Sequence, residues 1–353
     1  DDVESRGLGD VYKRQIKGGV ESVVTSLANG FIKKGVKVNL ICVKKCKPNF
    51  EIHKDINIIY LLDKWSKLRK YRVLIRFFRE KLNTEDILYT NSVINTLLAI
   101  LFAPKKTAKY ACDHNQYNAV NRLWAFFRFL LYKRLEGVIV LTQHDLIKYR
   151  KINSNCKLFD NPVSSSFFYT DKKSSATVKK YILNIGRLEK QKGQDLLLAA
   201  WNLVNKKGYE LWICGDGSQK QTLEQQTKLY GLTTSVKFLG NRDDIDILLR
   251  GAYCNVLSSR FEGKPVSLIE SKVVGCPNIS FNCKTGPAEI INHKYDGLLI
   301  DAGNIEALAK GIQLLIDNPI IRDEYAKNAC MNNERYMLEN ICEEYLSFFN
   351  IKA

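Results

Sequence analysis

From Gly18 onward the chain alternates two hydrophobic rhythms. Short continuous apolar runs stand at residues 36–43, 56–62, 86–89 and 138–141, and again at 181–185, 210–214, 236–239, 254–257, 278–281 and 297–300. Each has the length and β-branched content of a buried strand. Between them lie stretches whose apolar residues recur every three or four positions, over about 20–34, 194–205, 223–230 and 305–316, as helices require. Strand and helix alternating along a whole chain predict an α/β fold, with parallel sheets covered by helices on both faces. A chain of 353 residues exceeds the length at which one core usually keeps growing, so two such doubly wound domains are expected.

The polar stretch 161–180 contains Asn161-Pro162, a serine run at 164–166 and Lys172-Lys173, a linker composition. The expected division is a first domain over 16–165, a linker over 166–180, a second domain over 181–330, and a C-terminal helical segment over 331–353 that packs back on the first. Residues 1–15 fit neither rhythm. They read as adapter-derived rather than native sequence, which predicts that the opening strand of the first sheet is missing.

Composition narrows the function classes. Hydrophobic content of 45% and charged content of 26% are those of a folded protein. Residues 1–165 carry 30 Lys and Arg against 15 Asp and Glu, a net of +15 out of +17 for the chain. Such a basic half suits an anionic partner, whether phosphate-bearing substrate, membrane surface or nucleic acid. The basic residues lie on several elements, and there is no recognition helix, zinc module or RNA-binding motif, which argues against nucleic acid. The ten cysteines are scattered through apolar runs with no ligand spacing, as in a reducing compartment, and predict a cytoplasmic protein without a metal site. No signal peptide is visible, and the most apolar stretch, 97–103, is too short to span a bilayer. The segments 72–81 and 122–134 are rich in aromatic and basic residues. Both can lie on an anionic membrane, and the second can equally be a core helix with snorkelling ends.

Candidate chemistry falls at strand ends. Gly18 and Gly19 open a helix, where free backbone N–H groups favour an anion or simply make a tight turn. Arg187 and Lys192 follow the strand at 181–185 and can reach one phosphate, or form a solvated basic loop. Gly215 sits in a second strand-end turn. After the strand at 254–257, Glu262, Gly263 and Lys264 precede Pro265 and Val266 at a helix start, with Glu270 about a turn and a half inside it. Taken alone, these are two surface glutamates around a helix cap. His114 stands at a strand end in the basic half. Asp244 and Asp246 match a metal–diphosphate pattern but head a helix, where capping accounts for them.

In order, the segments "GGVESVVTSLANGFIKKGVKV", "ACDHNQYN", "NIGRLEKQKG", "ICGDG", "FEGKPVSLIES" and "GPAEIINHKYDGLLI" resemble glycosyltransferase family 4 over nearly the whole chain from Gly18. Its members are retaining enzymes of the GT-B fold, two Rossmann-like domains facing a cleft. The resemblance implies a nucleotide-sugar donor on the second domain and an acceptor on the first. It puts Arg187 and Lys192 on the leaving diphosphate with Gly18 and Gly19 nearby, and His114 facing the reacting sugar. Glu262 goes to the donor sugar, flanked by Gly263 and Lys264, and Glu270 to the nucleotide ribose. No metal is implied, since arginine and lysine supply the positive charge. The segments "DHNQYN" and "VLTQHD" are most similar to members that build bacterial surface polysaccharide from UDP-sugars on polyprenyl-diphosphate carriers, peripherally bound to the inner face of the membrane. Lys264 departs from the aromatic or aliphatic residue frequent there. A nucleotide-sugar 2-epimerase of the same architecture is the rival reading.

Overall fold

The computed structural model describes residues 11–12, 19–43, 51–62, 69–114, 117, 121–168 and 180–351. The chain divides into two units, one of Asp1–Pro162 with Tyr336–Ala353, the other of Val163–Arg335. The division lies three residues before the expected edge of the first domain, because Val163 and Phe167 are already buried and the Arg250 guanidinium donates to the Phe167 carbonyl at 2.7 Å.

The first unit carries two parallel sheets among its described residues. One holds β1 (Val11–Tyr12), β2 (Asn39–Cys42) and β3 (Asn57–Tyr60) in that order. The other holds β4 (Ile87–Thr90), β5 (Ala108–Cys112), β6 (Gly137–Val140) and β7 (Cys156–Leu158). A short strand therefore stands where the sequence predicted none: Val11 pairs with Ile41 and Tyr12 with Cys42. It is only two residues long, so no apolar run announces it. The helices are α1 (Gly19–Lys33), α2 (Arg69–Glu80), α3 (Val93–Phe102), α4 (Arg122–Leu131) and α5 (Gln143–Tyr149).

Alternation alone missed β7, whose three residues have a lysine in the middle. β5 also carries a lysine, Lys109, which is buried. Its ammonium donates to the Pro104 and Thr107 carbonyls at 2.9 and 2.6 Å, which satisfies a charge that cannot reach water.

The second unit is one six-stranded parallel sheet. In chain order it consists of β8 (Tyr181–Ile185), α6 (Gln194–Leu203), β9 (Glu210–Cys214), α7 (Lys220–Leu229), β10 (Val236–Gly240), α8 (Ile245–Gly251), β11 (Cys254–Leu257), α9 (Val266–Val273), β12 (Asn278–Asn282), β13 (Gly297–Asp301), α10 (Ile305–Asp317) and α11 (Pro319–Ala329). The strands lie side by side as β10-β9-β8-β11-β12-β13. That order reverses between β8 and β11, whose following helices therefore leave toward opposite sides and open a crevice at their C-terminal ends. Being covered on both faces, the strands are nearly continuous in apolar residues. Buried polar exceptions are paired sideways, as where Asn184 donates to the Val256 carbonyl at 2.7 Å and Asn255 to Asn278 at 2.8 Å. Leu197, Leu198 and Trp201 of α6 fill the core beside Ile182, Leu211 and Ile213.

The last helix, α12 (Leu338–Phe348), belongs to the first unit. Tyr345 stacks on Phe159 with ring centroids 4.5 Å apart, and Phe349 meets Tyr110 at 4.7 Å. Where α12 meets α1, a Cβ on Gly30 would lie 2.3 Å from the Cys342 sulfur, so any side chain there would force the contact to shift.

Candidate functional site

The loops after β8, β9, β11 and β12 are knitted together at the crevice of the second unit. The loop after β8 carries Arg187 and a 3-10 turn at Lys190–Lys192, and it ends on Gly193 in left-handed conformation, φ +65°. A Cβ there would fall 2.1 Å from the Ser258 carbonyl oxygen. Only glycine lets the first loop lie on the backbone that follows β11. Arg260 then clamps the pair. Its guanidinium makes a two-pronged bond to Asp195 at 2.8 and 2.6 Å and donates to the Lys190 carbonyl at 2.7 Å.

This clamp brings Lys192 onto Glu262, with Nζ to Oε1 at 2.6 Å. The carboxylate side is buried and the lysine side nearly so, at 7% and 17% exposure. The two residues that the sequence assigned to different parts of one ligand are thus an ion pair. An ammonium has three donors, so Lys192 retains capacity for a phosphate oxygen beside the carboxylate. Among the described residues the Arg187 side chain makes no hydrogen bond. It is half-buried, so its five N–H donors remain for an anion.

The Glu262 carbonyl accepts from the Thr285 hydroxyl at 2.6 Å. Gly286, at φ +94°, brings the loop after β12 so close that a Cβ would lie 2.0 Å from the Gly263 carbonyl oxygen. Lys264 is buried at this junction, at 7% exposure. Pro265 is the N-cap of α9 rather than its first helical residue, and Val266 opens the helix half-buried. The Gly263–Lys264 segment lies just before that helix end.

Glu270 is half-buried on α9, and among the described residues its carboxylate has no hydrogen-bond or ion-pair partner. Burial, with the Asp246 charge second, raises its pKa to about 7. A carboxylate in that state gains from any hydroxyl that donates to it.

Gly215 has a packing role. At φ +139° a Cβ on it would meet the Gly186 carbonyl oxygen at 2.1 Å, so it seats the β9 loop on the β8 loop. Asp244 stands at the N-cap position of α8 with no side-chain cap bond. Its carboxylate is held instead by Arg242 at 2.8 and 2.6 Å. No group of residues suited to a metal ion is present among the described residues.

In the first unit, His114 follows β5, with Nε2 at 2.9 Å from Asn91 Oδ1 at the end of β4. Burial lowers the imidazole to about 4, so the ring is neutral near pH 7. Beneath it Asp113 is buried. It accepts from Tyr132 at 3.2 Å and from Tyr149, and Arg128 donates to Tyr149 at 3.1 Å. Gly19 is the exposed first residue of α1, and Gly18 lies outside the described residues. Sequence reasoning passed over Asn91, Asp195, Arg260 and Gly286. For Asn91 a signal existed, since Asn91-Ser92 ends a strand and Ser92 caps α3.

Residues 167–330 match the family model described as glycosyl transferases group 1. Two curated relatives align nearly end to end. An amylovoran biosynthesis glycosyltransferase, AmsD of Erwinia amylovora, is 29% identical over 94% of this chain and 96% of its own. An α-1,4-N-acetyl-D-galactosaminyltransferase of Campylobacter jejuni, named for a diNAcBac-PP-undecaprenol-linked substrate, is 26% identical over 93% and 94%. Among solved structures, HepE of Anabaena in complex with UDP-glucose superposes with a TM-score of 0.81 at 18% identity, covering 98% of this chain and 99% of its own. The fold is thus GT-B, with two Rossmann-like α/β units. The family match and the relatives together support a glycosyltransferase of polysaccharide biosynthesis.

Proposed function

We propose that the protein moves a hexose or N-acetylhexosamine from a nucleotide-sugar, a UDP-sugar, to a glycan or polyprenyl-diphosphate-linked acceptor, with retention of configuration. This takes place at the inner face of an anionic membrane during surface-polysaccharide synthesis. One observation carries the reading. At the point where the strand order of the second unit reverses, a guanidinium with no hydrogen bond among the described residues (Arg187) and a lysine–glutamate pair (Lys192 and Glu262) stand on loops that glycines lock together, and a carboxyl group whose pKa burial raises (Glu270) stands on the helix that follows.

That set matches the polarity of a nucleotide-sugar. Arg187 and Lys192 face the diphosphate and stabilise the charge that develops as it leaves. Glu270 accepts from the ribose hydroxyls, and Glu262 orients the sugar while holding Lys192. His114, neutral, offers a hydrogen bond to the sugar without adding charge. The new glycosidic bond forms on the face from which the diphosphate departs, and a diphosphate oxygen takes the proton of the acceptor hydroxyl. With arginine and lysine balancing the charge, the step is proposed to need no metal.

A thermal-shift panel of UDP-, GDP- and ADP-sugars tests the donor. A UDP-sugar raises the midpoint, and Arg187→Ala and Glu270→Ala each abolish the shift. A panel in which no nucleotide-sugar stabilises the protein defeats the proposal. Release of epimerised sugar without acceptor would move the reading to the 2-epimerase. Inversion in the product's anomeric NMR would remove retention, and loss of activity in EDTA restored by Mn²⁺ would remove metal independence.

A further inference from the structure

Helix α4 is built inside out. Its sequence, Arg-Leu-Trp-Ala-Phe-Phe-Arg-Phe-Leu-Leu, puts Leu123, Phe126, Phe127 and Leu130 on one stripe at the i, i+3, i+4, i+7 spacing of a core-facing helix. That stripe faces outward: the four side chains are 60%, 56%, 39% and 37% exposed. Phe129 widens it on one side. Arg128, on the opposite face, is 1% exposed. Its guanidinium lies 3.7 Å from the Tyr117 ring centroid and donates to the Tyr117 carbonyl at 2.8 Å. The cation is anchored in the unit by the Asp113–Tyr149–Tyr132 cluster, which fixes the helix's rotation and leaves the apolar stripe outside. An arrangement of this kind is opposite to what water favours.

We infer that this face of α4 lies in the interface of an anionic lipid bilayer, its stripe buried among the acyl-chain ends. The inference gives a definite surface to the peripheral contact proposed above and rests on that reading only for its biological setting. Two observations select lipid as the occupant. Arg122 at one end of the helix and Lys133 and Arg134 beyond the other are exposed, and α3 packs between α4 and the arginine-lined α2, with Arg72 and Arg79 exposed. Apolar side chains rimmed by cations suit acyl chains beneath anionic headgroups. A second copy of the chain would instead press +17 against +17, with 30 of its basic residues in the same half. The helix has ten residues, and no described helix is long and apolar enough to cross a membrane, so it lies along the surface.

Flotation of the full chain with vesicles of phosphatidylglycerol in phosphatidylcholine, without any donor, tests the surface. The protein floats with these vesicles and not with pure phosphatidylcholine. Phe126→Ser with Phe127→Ser lowers the bound fraction at least tenfold with an unchanged thermal midpoint. Arg72→Gln with Lys133→Gln weakens binding about fivefold per charge. Flotation of the double-serine variant at the wild-type level overturns the inference, as does a wild type that stays unbound. So does a wild-type dimer that the serine changes dissociate in sedimentation velocity. A chain that binds a UDP-sugar but never floats loses only this surface. One that floats yet binds no nucleotide-sugar loses only the transfer reading.

Discussion

Glu270 and the Lys192–Glu262 pair show how much of a site lies in surroundings rather than in residue type. Spacing could place Glu270 on a helix, but it could not say that burial acts on its carboxyl group. Burial holds its folded pKa near 7, above the ordinary 4.5, so its contribution to folding is fully present below about 4.5 and is lost as pH rises through 7. On the proposed reading donor binding works against that trend, because ribose hydroxyls donating to Glu270 favour its ionised form. Donor affinity therefore rises on the order of tenfold between about pH 5.5 and about pH 8, and a Glu270→Gln variant binds more weakly with a flat profile, as isothermal titration would show. The ion pair behaves differently. Lys192→Met strips Glu262 of its lysine in a mostly buried position, at a cost of about 3 kcal/mol in denaturant unfolding, while Lys192→Met with Glu262→Gln recovers most of that loss. Both variants lose activity, so stability and catalysis separate at this pair. A sequence shows that a lysine and a glutamate lie seventy positions apart; only the fold shows that they touch.

Elements were legible where hydrophobic periodicity is strong. The strand runs of the second unit appear within a residue of their predicted bounds, because a strand covered on both faces must be apolar throughout. The lysine-bearing strands β5 and β7 of the first unit were not, and neither was the outward rotation of α4, which depends on where Arg128 is anchored rather than on the apolar pattern. The strand-end loops were legible as glycine-rich but not as a lattice. Gly286 and Gly303 make the difference measurable. Both have left-handed backbones, at φ +94° and +81°, yet a Cβ on Gly303 meets nothing within 4 Å, whereas one on Gly286 strikes the Gly263 carbonyl. Gly303→Ala is expected to cost about 1 kcal/mol of backbone strain and leave kcat/KM unchanged. Gly286→Ala adds the displacement of the loop carrying Glu262, and lowers kcat/KM on the order of a hundredfold even where the variant remains folded. Equal activity in the two variants would show that the junction does not position the site.

At the scale of the whole chain, each unit has its own core, and the polypeptide returns to the first unit for its last helix. Two separately packed cores predict two unfolding transitions in calorimetry, assignable by perturbing one unit at a time. Tyr345 provides one perturbation. It is 1% exposed and packed on Phe159, Phe31 and Tyr89, all in the first unit, so Tyr345→Ala is expected to remove about 3–5 kcal/mol from that unit and lower its transition alone. UDP provides the other. Binding to the loops of the second unit at a hundred times its dissociation constant adds about 2.7 kcal/mol there and raises the other transition. The combination is the informative measurement. If UDP restored the transition lowered by Tyr345→Ala, the nucleotide would be held by the first unit, and the assignment of Arg187, Lys192 and Glu270 to the donor would fall. If each perturbation moves its own transition, the nucleotide is bound by the second unit, and Arg187, Lys192 and Glu270 keep their proposed place beside it.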